Sequence, residues 1–220
     1  MIDRRKLMTA ILVPVLLGAS ATAQELGKLP PATAGDMALL TDAIDIHTHL
    51  DPDSFGPHSA QASRALDIME MAQRAKQAGM RGFVIKQHYD QTAQLAWLAN
   101  KAVPAVEVFG QLSLDHPVGG LNPAGAQHLP EGEGGRARIV SMPTWDSEAN
   151  VRSRKQDRAF VAVSRDGALL PETKAVIAAI ATAKVRDSDV KLALSTGHLT
   201  PAEALMVIRE ARKQGVDRIV

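Results

Sequence analysis

The sequence contains no cysteine among its 220 residues. This absence excludes disulfide bonds, thiolate metal ligands and a cysteine nucleophile. Aromatic residues make up only 3% of the chain, and no stripe of basic residues is present, so nucleic acid is not expected as a partner. The formal net charge is +1 and 45% of the residues are hydrophobic, which is typical of one globular domain with a sizeable core.

Long apolar runs are also lacking, except for one near the N-terminus. A basic stretch with paired arginines, residues 3–6, precedes the apolar run 7–19, and Ala21-Thr22-Ala23 follows with the form of a cleavage site. We therefore predict a signal peptide over 1–23, of the twin-arginine or the general secretory type, and a lead-in segment over 24–42. Because the run is too short to span a bilayer comfortably, we expect an exported, periplasmic or secreted protein without stable membrane insertion after signal removal.

From residue 43 onward, short apolar strands alternate with amphipathic helices. Strands that are apolar along their whole length and alternate with helices predict a parallel sheet covered by helices. Two short apolar runs flank Arg165-Asp166-Gly167 and predict an inserted β-hairpin near 160–170. Ser63 is the expected N-cap of the first helix. The predicted strands are 43–46, 82–86, 105–109, 138–142, 191–194 and 217–220, and the predicted helices are 63–78, 91–102, 123–129, 171–185 and 201–214.

The order of these elements fits a (β/α)8 TIM barrel, whose full set of units usually needs about 250 residues. Residues 43–220 provide five to six of the eight units, so we predict a partial, TIM-barrel-like α/β domain over this range. On this interpretation the chain is a C-terminally truncated barrel, and we expect it to be nearly inactive on its own.

Two histidines, His47 and His49, follow the first predicted strand. In an extended chain the side chains at i and i+2 point to the same face, so the two imidazoles can grip one divalent metal. Neutral imidazole suits zinc, and manganese, iron and nickel stay open. The motif alone is weak evidence for a metal site, because two histidines can also stand at a strand end simply as polar residues.

Other strand ends add further polar side chains of the same kind. In parallel α/β folds the chemistry gathers at the C-terminal ends of the strands, which is where four of the seven histidines fall. His116 and His128 are expected in solvent, and Asp51 and Asp53 in a turn. The predicted metal ligands are His47, His49, His198 and His88; the predicted catalytic residues are Asp146 and Lys86; the predicted substrate-binding residues are Lys86, His88 and His58.

Five segments together resemble the amidohydrolase superfamily of metal-dependent TIM-barrel hydrolases. The closest likeness is to an uncharacterised, amidohydrolase-like group of barrel proteins known as a domain of unknown function. The segments are IDIHTHLDPD at 44–53, GFVIKQHYD at 82–90, KAVPAVEVFG at 101–110, RIVSMPTWDS at 138–147 and LALSTGHLTPAEAL at 192–205. The resemblance implies that His47, His49 and His198 bind one or two divalent ions, with zinc expected first.

The sequence departs from the superfamily pattern in two respects. The superfamily also has a histidine after the sixth strand and an aspartate after the eighth, and neither position falls within these 220 residues. Its carboxylated lysine is usually on the fourth strand, whereas Lys86 is on the second, so Lys86 could instead hold a second metal or the substrate.

The resemblance implies metal-dependent hydrolysis of an amide, lactone or other ester bond in a small-molecule substrate. Two alternatives stay open: a metal-dependent lyase or decarboxylase on the same fold, and an exported metal- or ligand-binding protein without turnover. The sequence leaves the substrate and the oligomeric state undecided.

Overall fold

Five parallel strands form the central sheet of the computed structural model, which describes residues 33–53 and 64–220. The strand order is β1-β2-β3-β4-β7, and every neighbouring pair is parallel. The sheet is curled like half of a barrel and is flanked by helices, consistent with an incomplete TIM-barrel-like fold. The prediction of an α/β fold with a parallel sheet is confirmed. The strands are β1 (Ile44–His49), β2 (Gly82–Lys86), β3 (Glu107–Ser113), β4 (Ala137–Ser141) and β7 (Ala193–Ser195).

Seven α-helices accompany these strands in the described ranges. Several begin at a side-chain cap: Asn122 accepts a hydrogen bond from the Gly125 amide, and Thr200 forms a reciprocal capping box with Glu203. The helices are α1 (Ala34–Ala38), α2 (Ile68–Gln77), α3 (Ala93–Ala102), α4 (Pro123–His128), α5 (Glu148–Ser153), α6 (Pro171–Thr182) and α7 (Pro201–Lys213).

The predicted start of the first helix is wrong. α2 begins at Ile68 and not at Ser63, which lies outside the described residues. The Asp67 side chain accepts from the Glu70 amide, and the Glu70 carboxylate accepts from the Asp67 amide. This capping box fixes the helix start because it satisfies two backbone donors at once.

The inserted hairpin is confirmed, with β5 (Ser164–Arg165) and β6 (Ala168–Leu169) paired antiparallel. Asp166 and Gly167 both have positive φ, 51° and 76°, as a two-residue hairpin turn requires. The predicted last strand is reduced to an isolated bridge between Leu194 and Ile219.

The hydrophobic core lies mainly between the outer face of the sheet and the helices. One buried cluster packs β2, β3 and Leu50, the residue after β1, against α2 and α3. A larger one packs β3, β4 and β7 against α4, α6 and α7. Residues 34–220 form one compact unit. The predicted signal peptide and most of the predicted lead-in segment lie outside the described residues. Within 33–53 and 64–220, no helix has the length and apolarity needed to cross a membrane.

The inner face of the sheet changes from apolar to polar along the strands. Val84, Phe109 and Ile139 form a small apolar cluster across β2, β3 and β4. Lys86 lies two residues after Val84 on β2, and Ser113 lies four residues after Phe109 on β3. The Lys86 amine donates a hydrogen bond to the Ser113 hydroxyl. Because alternate residues of a strand share a face, this polar layer leads directly to the side chains at the strand ends.

Candidate metal centre

The end of β1 presents two adjacent imidazoles, as predicted. Nε2 of His47 lies 3.3 Å from Nε2 of His49, and the ring centroids are 5.1 Å apart. The Asp45 carboxylate accepts a hydrogen bond from the His47 amide at 2.9 Å, which braces the strand between Asp45 and His47. His47 is exposed, whereas His49 is half-buried.

The ends of β2 and β7 bring two more histidines to the same place. The His88 ring centroid is 5.0 Å from that of His49 and 6.4 Å from that of His198. The four histidines predicted as metal ligands therefore form one continuous cluster at the C-terminal edge of the sheet. His58, predicted to bind substrate, lies outside the described residues.

Asp53 is a site residue that the sequence-based prediction placed only in a turn. It is 2% exposed, and one carboxylate oxygen accepts from the His88 backbone amide at 3.1 Å. The other oxygen accepts from Arg64 at 3.1 Å and lies 3.7 Å from Nδ1 of His49. Burial alone raises the pKa of Asp53, but the contacts with His49 and His88 hold it below its ordinary value.

A divalent ion fits the side chains gathered here. His49, Asp53 and His88 each offer one ligand atom, and these atoms all lie within 4.8 Å of one another. Within the described ranges, the buried Nδ1 atoms of His49 and His198 have no hydrogen-bond partner. Imidazole nitrogen with carboxylate oxygen is a donor set that zinc accepts, and related divalent metals accept it too. The three residues could therefore hold a metal ion.

Three imidazoles of this cluster, those of His47, His88 and His198, are disposed to stay neutral. Burial lowers the pKa of His47, His88 and His198 below the ordinary value, to about 4 for His198, where Lys86 adds to the effect. A metal binds the neutral imidazole, so these shifts favour metal binding at neutral pH over competition by protons.

Asp115 is a second residue that sequence analysis missed, and it organises the loop after β4. It is fully buried, and its carboxylate accepts from the backbone amides of Thr144, Trp145 and Asp146 at 2.8, 3.3 and 3.0 Å. The Thr144 hydroxyl donates to it at 2.5 Å. Burial by itself raises the pKa of Asp115, but contacts with His88 and Thr144 keep it below its usual range.

Lys86 is buried beneath the histidines rather than exposed at a strand end. It is 1% exposed, and Nζ lies 2.8 Å from Ser113 Oγ, 3.3 Å from Thr144 Oγ1 and 3.4 Å from His88 Nδ1. Burial lowers the pKa of Lys86 to about 8, against the opposing charges of Asp115 and Asp53.

Asp146, predicted as catalytic, lies on the β4 side of the site with its carboxylate already engaged. One oxygen forms a buried ion pair with Arg158, and the other accepts from the His116 amide at 2.8 Å. His128, by contrast, is exposed and pairs with Glu131 at 2.8 Å, away from the cluster.

The comparisons with known proteins place the chain in a family without assigning it a chemistry. Residues 42–220 match the model of a family of unknown function, DUF6282. The chain belongs to this family. No curated protein and no solved structure shows significant similarity to it.

Proposed function

We propose that this protein is a metal-dependent hydrolase of the amidohydrolase type, acting on an amide, lactone or other ester bond of a small molecule. One observation supports the proposal above all: the ends of β1, β2 and β7 bring four histidines and a buried aspartate into one cluster. The curled parallel sheet supports the finer assignment to a TIM-barrel-like fold, in which such clusters occur at this edge. The pattern of residues 1–23 supports export as part of the same proposal.

In this proposal His49, Asp53 and His88 hold the ion. His47 lies next to His49 and His198 lies next to His88, so both are further candidate ligands. A bound divalent ion supplies Lewis acidity, which polarises a carbonyl oxygen and makes water acidic enough to ionise near neutral pH. Zinc is the first candidate, and manganese, iron and nickel follow; one or two ions are both compatible with five candidate ligands.

The proton released from water needs an acceptor among the carboxylates of the site. We favour Asp53, because it is buried within the cluster and its lowered pKa keeps it ionised. Asp146 remains the alternative. Both oxygens of each aspartate already accept from other groups, but Asp146 is not among the three proposed ligands of the ion.

Lys86 would act through its neighbours rather than by touching a substrate. Its amine contacts Thr144 and His88 and is closed off from solvent. A cation at this place compensates the buried charges of Asp115 and Asp53, so we propose that it holds the polar layer beneath the histidines in one arrangement.

A hydrolysis screen tests the proposal. The full chain is stripped with a chelator, reconstituted with zinc, manganese, iron or nickel, and assayed against amides, lactones and esters, with carbon dioxide release measured in parallel. We expect hydrolysis only in a reconstituted sample, at the low rate predicted above for residues 1–220. His49→Ala should lose about 100-fold or more of this rate, and His128→Ala should change it little. Carbon dioxide release without hydrolysis would favour the lyase, and metal binding without turnover would favour the binding protein.

A further inference from the structure

A groove on the inner face of the sheet carries an excess of positive charge and lies outside the candidate metal centre. It has a volume of about 640 Å³, which is within the range of small-molecule sites, and none of the proposed metal ligands lines it. Four arginines but only two acidic residues line the groove: Arg81, Arg138, Arg212 and Arg218 against Glu107 and Asp217. A concave site with such an excess attracts anions.

Arg138 reaches this groove because the register between β3 and β4 shifts beside it. Gly110 pairs with Ala137, but the next residue, Gln111, pairs with Ile139, so the pairing skips Arg138. Neighbouring residues of a regular strand face opposite sides, whereas Arg138 and Ile139 both line the groove. An irregularity of this kind re-aims one side chain, here the arginine.

The Arg138 guanidinium is fixed in position with one edge left for a ligand. Its carbon lies 4.3 Å from the centroid of the Phe109 ring, and Nη1 donates to the carbonyls of Gly135 and Ala137 at 2.8 and 2.7 Å. Across the part of the chain that the structure describes, Nε and Nη2 donate to no protein atom. These two nitrogens form the edge of the planar group that binds a carboxylate through two parallel hydrogen bonds.

The charge on Arg138 is not neutralised by an acidic neighbour. Glu107 is already paired with Arg81 at 2.8 Å. Among residues 33–53 and 64–220, neither Arg138 nor Arg218 takes part in an ion pair. Burial lowers the pKa of Arg138, and the positive charges of Arg136 and Arg218 lower it further, against the opposing charge of Glu107. An anion bound beside Arg138 and Arg218 would relieve this repulsion.

An accessible apolar wall continues the groove from β3 to the edge strand. Ile44 and Ile46 on β1 line the groove and are 38% and 47% exposed, and Val84 on β2 lies between them and Phe109 on β3. Neighbouring strands are about 4.8 Å apart, so the wall from β3 to β1 spans roughly 10 Å, the length of an extended chain of about eight carbons.

We propose that this groove binds a medium-chain carboxylate, with its carboxylate on the guanidinium groups of Arg138 and Arg218 and its hydrocarbon chain along Ile44 and Ile46. The flat carboxylate matches the open edge of Arg138, and the chain covers the exposed isoleucines. An inorganic anion would leave the apolar wall in water, and a neutral hydrocarbon would leave the guanidinium groups without a counter-charge. This second site does not depend on the proposed function.

Isothermal titration of the metal-stripped full chain tests the inference, because removal of metal ions prevents a carboxylate from binding to one. The ligands are octanoate, acetate, which lacks the chain, and octanol, which lacks the charge. Arg218→Gln removes one proposed partner, and it carries little risk to folding because Arg218 is exposed. Arg209→Gln is the matched control, because Arg209 is exposed on α7 and does not line the groove.

We expect octanoate to bind the wild type at one site and acetate to bind at least about 100-fold more weakly, because acetate buries no chain. Octanol should bind about tenfold more weakly than octanoate. Arg218→Gln and Arg138→Gln should each lose about tenfold in octanoate affinity, a loss typical of hydrogen bonds to a charged group. Arg138→Lys should fall between Arg138→Gln and the wild type, since lysine keeps the charge without the two-pronged edge. Arg209→Gln should match the wild type.

The absence of saturable octanoate binding would overturn the inference. Equal affinities for octanoate and acetate would do so as well, by showing a site for any anion, and so would the same loss in Arg209→Gln as in Arg218→Gln. Light scattering of the same samples identifies the remaining rival occupant. Self-association that is lost in Arg218→Gln, without octanoate binding by the wild type, would assign the groove to a second copy of the chain and overturn the inference.

Discussion

At the scale of single residues, the proton on His88 is placed by side chains that are not metal ligands. The Thr144 hydroxyl gives its hydrogen to Asp115, so its oxygen is left to accept from His88 Nδ1 at 2.9 Å. His88 then carries its hydrogen on Nδ1 and keeps the Nε2 lone pair for a metal. The relay from Asp115 through Thr144 to His88 thus favours the neutral tautomer in which Nε2 is the nitrogen that can bind an ion.

We predict that Thr144→Val weakens zinc binding by about 10- to 100-fold, because it breaks this relay while leaving every proposed ligand in place. Thr144→Ser keeps the hydroxyl and should restore most of the affinity. Zinc titration of the two metal-stripped variants beside the wild type checks both outcomes. Equal affinities for Val and Ser at this position would show that the hydroxyl does not orient His88.

At the scale of elements, the turn between β7 and α7 places His198 through a close backbone contact. Gly197 has φ of 62°, and a Cβ at this position would lie 2.5 Å from the Pro143 carbonyl oxygen and closer still to that of Met142. The His198 amide then donates to the Pro143 carbonyl at 3.0 Å, and the Ser147 hydroxyl donates to the His198 carbonyl at 2.8 Å. Only glycine allows the β7 turn to lie this close to the loop after β4.

Gly197→Ala should therefore destabilise the fold and weaken zinc binding. Gly167→Ala is the control, because Gly167 also has positive φ, 76°, but has open space around its Cβ position. We expect the control to lose about 1–2 kcal/mol in free energy of unfolding, because alanine is strained in the left-handed backbone conformation. Gly197→Ala should lose roughly 1–3 kcal/mol more in free energy of unfolding from the steric overlap. Denaturant unfolding that gives equal losses for the two variants would contradict this account.

The elements also show what the sequence could and could not predict. The histidines at the strand ends follow from local pattern, because alternation and apolarity locate a strand without knowledge of its neighbours. Asp53 and Asp115 could not be found in this way. An aspartate in a loop has the local pattern of a turn residue, and only tertiary contacts, which the sequence does not show, bury it. Their only signal is position: Asp53 stands four residues after His49, and Asp115 stands two residues after β3 ends. The start of α2 was missed because apolar spacing outweighed the Asp67–Glu70 capping pair.

At the scale of the whole molecule, the inner face of the sheet forms the open groove below the candidate metal centre. The groove has a volume of about 640 Å³, and its lining includes Val84, Phe109 and Ile139, with Ile44 and Ile46 at the β1 side. Charged side chains line it as well: Arg81, Glu107, Arg138, Arg212, Asp217 and Arg218. Ile44 is 38% exposed and Ile46 is 47% exposed. Exposed apolar side chains on an edge strand favour self-association.

We predict that the double variant Ile44→Thr, Ile46→Thr associates less than the wild type, with little change in thermal stability. Threonine keeps the strand preference of a β-branched residue and adds polarity. Leu205→Gln is the control, because Leu205 is 51% exposed on α7 and outside the groove. Light scattering against concentration checks the prediction, and equal association of the double variant and the wild type would refute it.

Zinc titration of the metal-stripped full chain, compared among wild type, His49→Ala, His88→Ala and His128→Ala, tests the central claim most directly. His49 and His88 belong to the candidate metal centre, whereas His128 is exposed and pairs with Glu131. The account predicts zinc binding by the wild type, unchanged affinity in His128→Ala and a loss of about 100-fold or more in the other two variants. No zinc binding by the wild type, or the same loss in all three variants, would contradict it.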